Sequence, residues 1–170
     1  AGMDYFARHQ PLLETARAAC RRRGYWSPFP DLPSRYPASA AAQQLGEAAF
    51  TARLNADFVL DQPGQGGWLG EEVSPYTQRP LGIRYPQSDL DSLFSAARQA
   101  TESWRDATPQ ARVGVLLEAL DQLYRSQLFE LSFAVMHTAG QSFNMAYAGS
   151  GVNALDRGIE ALVYAYEAMV

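Results

Sequence analysis

Few residues of this chain combine the types and spacing that catalysis or metal binding requires. His9 and His137 are the two histidines, and neither has Cys, Asp or Glu at the short spacings typical of zinc sites, so no metal ligand is predicted. The single cysteine, Cys20, precedes Arg21–Arg23, and neighbouring cations favour the reactive thiolate. Cys20 also falls on the apolar face of a predicted helix, where structural cysteines are common. We therefore interpret Cys20 as a structural residue.

The glycine-rich run GQGGWLG at 64–70 has the spacing of a nucleotide-binding loop only in a formal sense. A dinucleotide loop follows a strand and precedes a helix, because the helix N-terminus binds the pyrophosphate. Pro75 and Pro80 follow the run closely, and no helix is predicted to begin there. The run is interpreted as a flexible turn, and no cofactor-binding residue is predicted.

The remaining candidates for acid–base chemistry are interpreted as structural residues. Asp156 and Glu160 are four positions apart on a predicted helix, a spacing that is typical of a solvated face. His137 precedes Gly140 and is interpreted as a residue that interacts with the free carbonyls of a helix C-terminus. A small hydrolase is the least favoured function, because no nucleophile–base pair is evident. No catalytic residue is predicted.

The composition is that of an ordinary globular domain. Of the 170 residues, 47% are hydrophobic and 19% are charged, and no window approaches the length of apolar sequence that crosses a membrane. The net charge of -4 argues against nucleic acid as a partner, and the single cysteine together with the lack of an export signal favours the cytoplasm. All fourteen basic residues are arginines, which excludes chemistry that needs a lysine.

Helix signals organise the first third of the chain. Asp4 is a predicted N-cap and Gly24 a predicted helix stop, although Pro11 leaves a later start open. Residues 24–38 hold four prolines and four aromatic side chains, which predicts an extended segment that wraps around the rest of the protein. An alanine-rich helix is predicted from 39 to about 54.

A β-hairpin is predicted after these helices. Glu72–Ser74 is expected to pair with Leu81–Tyr85 around a turn at Tyr76–Pro80. Ser88 with Asp91 then forms a predicted capping box that begins the next helix.

Helical periodicity dominates the chain after the hairpin. Thr108 before Pro109 is a strong helix start, and Gly140 is predicted to end the helix that follows. A further short segment is predicted to end at 149–151. The last helix is predicted to bury six apolar residues: Leu155, Ile159, Leu162, Val163, Tyr166 and Met169.

The predicted fold is mainly α, with five to six helices and one short β-hairpin. Three units are predicted along the chain. Residues 1–56 hold the N-terminal helices and the wrapping segment, residues 57–87 hold the glycine-rich turn and the hairpin, and residues 88–170 hold the remaining helices.

The helical part resembles a known family. From Ser88 the sequence reads SDLDSLFSAARQATESWRDATPQARVGVLLEALDQLYRSQLFELSFAVMHTAGQSF, in which a helix ending near a Trp, a Pro-initiated helix and a helix closed by Gly follow one another. This layout resembles the N-terminal part of the aldehyde dehydrogenase superfamily. The segment HTAGQSFNMAYAGSGVNALDRGIEALVYAYEAM resembles the phenylacetic acid degradation branch known as PaaN.

The resemblance implies that this chain is the N-terminal portion of an aldehyde dehydrogenase-like α/β fold without its Rossmann sheet. It also implies that the parent enzyme oxidises aldehydes with NAD or NADP, while this chain binds no cofactor itself. Ile159 and Tyr164 are the residues that we expect near the substrate tunnel. The expected partners are the remainder of the dehydrogenase fold and further copies in a homo-oligomer.

Two functions from different classes remain open. Val170 follows an apolar helix without a capping Gly or a polar tail, so we expect a truncated oxidoreductase with no turnover of its own. Helices that pack on a missing sheet leave an apolar face exposed, so we also expect the chain to dimerise or to form higher assemblies. The alternative is a stand-alone helical interaction or oligomerisation module with no catalysis.

Overall fold

The computed structural model describes residues 4–170, and helices dominate this part of the chain. The helices and the two strands of an antiparallel sheet are, in chain order, α1 (Tyr5–Arg22), α2 (Ser39–Arg53), β1 (Gln65–Leu69), β2 (Tyr85–Ser88), α3 (Leu90–Asp106), α4 (Pro109–Gln122), α5 (Leu128–Ala139), α6 (Phe143–Met145) and α7 (Asn153–Met169). A 3-10 turn at Pro33–Arg35 and two π-helical segments, Leu123–Gln127 and Ala146–Val152, lie between them. The predicted mainly α fold is confirmed. None of the helices in the described range is both long enough and apolar enough to span a bilayer.

α1 begins and ends at local signals. The Asp4 carboxylate accepts a hydrogen bond of 3.0 Å from the Ala7 backbone N–H, which confirms the predicted N-cap. Arg23 ends the helix with a φ of 53°, so the left-handed cap lies one residue before the predicted stop at Gly24. Pro11 lies inside the helix, which therefore does not begin there.

The main core lies where α1, α4, α5 and α7 meet. Apolar residues at helical spacing from these helices are almost fully buried: Leu13, Val113, Leu117, Leu128, Phe129, Leu155, Ile159 and Val163. Burying one such side chain stabilises a fold by roughly 1.5–3 kcal/mol. The last helix buries four of its six predicted residues, whereas Leu162 is partly buried and Met169 is 36% exposed.

Residues 24–38 form the predicted wrapping segment. Phe29 is buried with its ring centroid 4.4 Å from that of Tyr124, and Tyr36 packs edge-on against Phe129 at 4.9 Å. The Tyr36 hydroxyl also donates to the backbone carbonyls of Tyr124 and Arg125. These carbonyls belong to the π-helical segment between α4 and α5, so the wrapping segment holds that junction in place.

The second π-helical segment joins α6 to α7. The sequence predicts a break at 149–151, but the backbone stays helical through this stretch and continues into α7. The prediction is wrong because packing decides the conformation here. A Cβ on Gly151 would lie 2.6 Å from a methyl carbon of Leu128, so this glycine allows a close contact with α5.

A second, smaller core joins α2 and α5 to the segment that precedes β2. Gly46 lets α2 approach α5, because a Cβ at that position would lie 2.4 Å from the Cβ of Phe129. Four apolar residues bury one another nearby: Phe50, Leu81, Ile83 and Phe133.

β1 and β2 pair within the region predicted to hold a turn and a hairpin. β1 lies inside the run at 64–70, so the prediction of a flexible turn there is wrong. The predicted hairpin is present only in part: Val73 bridges Pro80, a residue of the predicted turn, and the Ser74 N–H donates a 2.9 Å hydrogen bond to the Arg79 carbonyl. Tyr85 pairs with Leu69 of β1 rather than with Glu72–Ser74, so that part of the predicted pairing is wrong. The glycine content of residues 64–70 predicted a turn, but pairing with β2, which is distant in sequence, makes these residues a strand.

α3 stands apart from both cores. Its N-cap is Asp89, whose carboxylate accepts a 2.8 Å hydrogen bond from a backbone N–H of the first turn, whereas the predicted cap, Ser88, is the last residue of β2. Along its apolar face Leu90, Phe94 and Trp104 are 67%, 60% and 47% exposed. The predicted helix is confirmed, and none of its residues is buried by the described chain.

Candidate functional site

A cleft between the C-terminal end of α1 and residues 156–164 of α7 contains both residues that we expect near a substrate tunnel. Its volume is about 430 Å³, which lies within the range of small-molecule sites. Ile159 is 3% exposed and lies at its floor, while Tyr164 is 56% exposed at its rim. Ala16 and Ala19 complete the floor, and residues 24–26 form one wall. The role of this cleft as a tunnel stays a prediction.

Asp156 is a polar residue of this cleft whose surroundings the sequence does not reveal. Its Oδ1 accepts a 2.8 Å hydrogen bond from the Ser27 hydroxyl, and Ser27 Oγ accepts one of 3.1 Å from the Phe29 backbone N–H. Burial raises the pKa of the Asp156 carboxyl, while the hydrogen bond from Ser27 and the charge of Arg157 oppose that shift. Asp156 is only partly exposed, because Ser27 of the wrapping segment covers one side of it, so the predicted solvated face is solvated only in part.

Glu160, the other carboxylate of that predicted face, is paired within its own helix. Its Oε2 lies 2.5 Å from Nη1 of Arg157, and the two side chains are 34% and 62% exposed. An exposed pair at this spacing stabilises a helix by only about 0.2–0.5 kcal/mol. The ion pair nevertheless gives both Arg157 and Glu160 a partner of opposite charge at the edge of the cleft.

Cys20 and Arg23 also line the cleft. Cys20 is a partly buried free thiol, which fits its interpretation as a structural residue, although it borders open space. Within residues 4–170 the Arg23 guanidinium has no ion-pair partner, whereas Arg17 and Arg21 both bind Glu167 of α7. Arg23 therefore lines the cleft with a guanidinium group that donates no hydrogen bond to another side chain within residues 4–170.

A second group of charged residues is buried between α1 and α4. His9 and Glu118 are 109 positions apart, yet His9 Nε2 lies 2.6 Å from Glu118 Oε2 and both residues are buried. Glu118 also accepts hydrogen bonds from Arg8, Gln122 and Arg125. The hydrogen bonds from His9 and Gln122, with the charge of Arg8, hold the pKa of the Glu118 carboxyl below its ordinary value.

The same cluster includes three groups of metal-ligand type. His9, Glu118 and Asp121 offer ligand atoms within 4.8 Å of one another, a grouping that no spacing in the sequence indicates. Arg8 and Arg125 lie within salt-bridge distance of both carboxylates, and two guanidinium groups oppose the binding of a cation. The cluster is an ion-pair network that joins α1 to α4. The sequence missed it because contacts across such a separation have no local signature.

Ser74 and His137 form a serine–histidine pair that the sequence did not reveal. Ser74 Oγ lies 2.8 Å from His137 Nδ1, and Ser74 is fully buried. The same oxygen accepts hydrogen bonds from the backbone N–H groups of Tyr76 and Thr77, at 3.2 and 3.3 Å. A buried hydroxyl that holds a turn in this way is not placed to attack a substrate. His137 stacks on Phe50, and its Nδ1 binds Ser74 rather than a helix carbonyl as predicted.

The glycine-rich run forms a strand rather than a nucleotide-binding loop. β1 occupies most of the run, and the next helix begins only at Leu90. These residues therefore do not form the strand–loop–helix arrangement whose helix N-terminus binds a pyrophosphate.

A solved structure is similar to this chain over nearly its whole length. It is the crystal structure of an NAD-dependent aldehyde dehydrogenase from Burkholderia multivorans, with 44% sequence identity and a TM-score of 0.91. The match covers 99% of this chain and 30% of that chain. This chain has the fold of part of an aldehyde dehydrogenase. No protein-family model and no curated protein matches the sequence.

The aldehyde dehydrogenase similarity supports the superfamily that the helical layout resembles, and it confirms the fold class. The chain spans 30% of the length of the dehydrogenase that it matches, so most of that enzyme has no counterpart in it. The cleft, the buried ion pairs and the serine–histidine pair all lie within the shared part of the aldehyde dehydrogenase fold, since the match covers 99% of this chain.

Proposed function

We propose that this chain forms the N-terminal part of an NAD-dependent aldehyde dehydrogenase, to which it contributes outer helices and a hairpin rather than catalytic groups. The similarity to the Burkholderia multivorans enzyme carries the proposal, because 44% identity and a TM-score of 0.91 hold over 99% of the chain. The remainder of the enzyme is then the main partner of this chain. The remainder would bind NAD, which would supply the acceptor for the hydride that is lost when the aldehyde is oxidised.

Exposed apolar side chains support a larger assembly. Phe94 and Trp104 on α3 are 60% and 47% exposed, and Leu123 and Leu131 beside the α4–α5 junction are 37% and 44% exposed. Leu123 and Leu131 also line a groove of about 160 Å³ whose other walls are largely apolar. Large exposed apolar patches mark interaction sites in proteins, so these are the places where we expect the remainder of the enzyme to pack.

Dehydrogenase assays test the proposal. We expect the purified 170-residue chain to give no aldehyde-dependent reduction of NAD. The native protein, captured from its source with an antibody raised against this chain, should give NADH from an aldehyde. Turnover by the chain alone, or captured protein without dehydrogenase activity, would contradict the proposal.

The finer proposal is that the parent enzyme acts in phenylacetic acid degradation and that the cleft with Ile159 and Tyr164 lies near its substrate route. The segment from His137 to Met169 that resembles the PaaN branch supports the pathway, and the meeting of both residues in one cleft supports the route. Deletion of the gene that encodes this chain should stop growth on phenylacetate but not on succinate. Normal growth of the deletion strain on phenylacetate would remove the pathway assignment.

A stand-alone helical interaction module is the second candidate function. It is favoured by the closed core, in which Leu13, Val113 and Val163 have 0% exposure without any further chain. This function predicts that the antibody recovers the chain with a partner that has no dehydrogenase activity. Recovery of an active dehydrogenase that contains the chain decides against it.

A further inference from the structure

The cleft at the end of α1 has the floor of a binding site. Ala16, Ala19 and Ile159 line it and are 2%, 6% and 3% exposed, so the floor is apolar and closed. The two alanines leave space that larger side chains would fill, and the resulting volume is about 430 Å³. A small organic molecule fits a space of that size.

Aromatic rings surround the opening of the cleft. Trp26 is partly buried in its wall, and Tyr25 and Tyr164 are 86% and 56% exposed beside it. Aromatic side chains offer flat apolar faces and lose little conformational entropy on binding. Three such rings around one cleft favour a ligand with an apolar, planar body.

Some charged side chains that line the cleft already have a hydrogen-bond or ion-pair partner, whereas Arg23 has none within residues 4–170. Asp156 accepts a hydrogen bond from Ser27, and Glu160 is paired with Arg157 at 2.5 Å. A cationic ligand would have to compete with these partners at both carboxylates. Arg23 has no ion-pair partner within residues 4–170, so a carboxylate on the ligand would meet no competitor there.

The helix end does not cancel the positive charge of Arg23. The C-terminus of a helix carries a partial negative charge of roughly half an elementary charge. Arg21–Arg23 place three positive charges in the last turn and cap of α1, of which Glu167 offsets one through its ion pair with Arg21. The α1 side of the cleft therefore carries excess positive charge, while the carboxylates of Asp156 and Glu160 lie on the α7 side.

We propose that this cleft binds a small amphipathic anion, whose apolar body contacts Ala19 and Ile159 and whose carboxylate pairs with Arg23. The cleft is lined by residues of this chain, and the proposal goes beyond the proposed function, because binding of the anion requires neither NAD nor dehydrogenase activity. A chain that fails to bind such an anion leaves the dehydrogenase proposal untouched, and an inactive parent enzyme leaves this site untouched.

Cys20 gives a direct test, because it is the only cysteine of the chain and lines the same cleft. The purified chain is alkylated with iodoacetamide, an uncharged reagent, and the modification is followed by intact mass. The anionic probe is 2-naphthoate, and its uncharged analogue is 2-naphthalenemethanol. We expect 2-naphthoate to slow alkylation in a saturable manner and the alcohol to need about tenfold higher concentration, because it lacks the charge-assisted hydrogen bond.

A matched pair of variants assigns the effect to one side chain. Arg23→Gln should weaken protection by 2-naphthoate about tenfold and leave protection by the alcohol unchanged. Arg22→Gln removes the same charge from the same turn, and since Arg22 does not line the cleft this variant should behave like the wild type. Circular dichroism establishes that both variants are folded, and calorimetric titration of 2-naphthoate gives the affinities without thiol chemistry. Equal protection by acid and alcohol, no binding of 2-naphthoate in either measurement, or equal effects of the two substitutions would overturn the proposal.

Discussion

At the residue scale, charged side chains of this protein hold helices together. Glu118 is the clearest case, since it is 5% exposed and its carboxylate meets His9 and Arg8 of α1 as well as Arg125 of the α4–α5 junction. A buried carboxylate is stable only when its oxygens are paired in this way, and removing one partner leaves the other charges without compensation. The network therefore stabilises the position of α1 on α4.

Replacing Glu118 by Gln should destabilise the fold at neutral pH, because the neutral amide removes the negative charge that pairs with both arginines and has one acceptor oxygen instead of two. The pKa of Glu118 is lowered in the folded protein, so the carboxylate stabilises the fold above the ordinary Glu pKa of 4.5 and loses this effect as the pH falls towards the folded value. The difference in free energy of unfolding between wild type and variant should therefore shrink below pH 4.5. Urea denaturation at a series of pH values measures it.

The control for this prediction is Glu47→Gln, because Glu47 is an exposed carboxylate of α2. Its stability should follow that of the wild type at every pH within about 0.5 kcal/mol. If the loss in free energy of unfolding caused by Glu118→Gln stays constant below pH 4.5, the carboxylate is not the stabilising group.

At the element scale, two pairs of helices make contact through glycines. Gly46 of α2 meets Phe129 of α5, and Gly114 of α4 meets the backbone of α1, where an added Cβ would lie 2.6 Å from the Phe6 nitrogen. A helix that carries glycine at a contact brings its backbone close to its neighbour, at a cost of about 1 kcal/mol in helix propensity. These glycines therefore fix the spacing between the helices.

Gly46→Ala should destabilise the protein by about 1–3 kcal/mol, even though alanine favours a helix, because its Cβ overlaps the Cβ and backbone of Phe129. Gly66→Ala is the matched control, since a Cβ at that position meets no atom of residues 4–170 within 4 Å. We expect the control to change stability by less than about 0.5 kcal/mol. Thermal or urea unfolding compares the two, and an unaltered Gly46→Ala protein would mean that the two helices are not in close contact.

Elements with local signals can be predicted from the sequence, whereas elements that depend on contacts between distant residues cannot. The Thr108 hydroxyl accepts from the Ala111 N–H at 3.1 Å and Gly140 has a φ of 71°, as a helix start and a helix stop require. β1 was missed because its partner strand, not its glycine content, decides its conformation. The predicted helix break at 149–151 was wrong for the same reason. The contact between Gly151 and α5 joins residues that are distant in sequence, so no local pattern indicates it.

The candidate site shows the same division. Ile159 was expected in a buried position from helical periodicity, and it is 3% exposed. Its meeting with Cys20 and Asp156 in one cleft depends on the packing of α1 against α7, which no spacing in the sequence predicts. The partial burial of Asp156 was missed because its cover comes from the wrapping segment, through Ser27.

At the scale of the whole molecule, the chain has a closed core and uncovered apolar faces at the same time. Val113 and Val163 are fully buried, while Phe94 and Leu131 are 60% and 44% exposed. A closed core lets the chain fold, and exposed apolar faces favour association. Both properties are expected of a part of a larger enzyme.

We expect the isolated chain to associate in solution, as the exposed stripe on α3 indicates. Phe94→Glu should shift the equilibrium towards the monomer, because a charged residue cannot be buried against an apolar surface without a large cost. Arg98→Glu alters the charge on the same helix without removing an apolar side chain and serves as the control. Light scattering over a range of concentrations measures the mass. A wild-type chain that stays monomeric at high concentration would contradict this prediction.

The intact mass of the native protein distinguishes part of a dehydrogenase from a stand-alone module. The protein is captured from its source with an antibody raised against this chain and weighed under denaturing conditions. The proposed function predicts one polypeptide about three times as heavy as the 18.7 kDa of this chain, because the chain covers 30% of the dehydrogenase that it matches. A native polypeptide near 18.7 kDa, recovered without an associated dehydrogenase, would contradict the account and favour a stand-alone module.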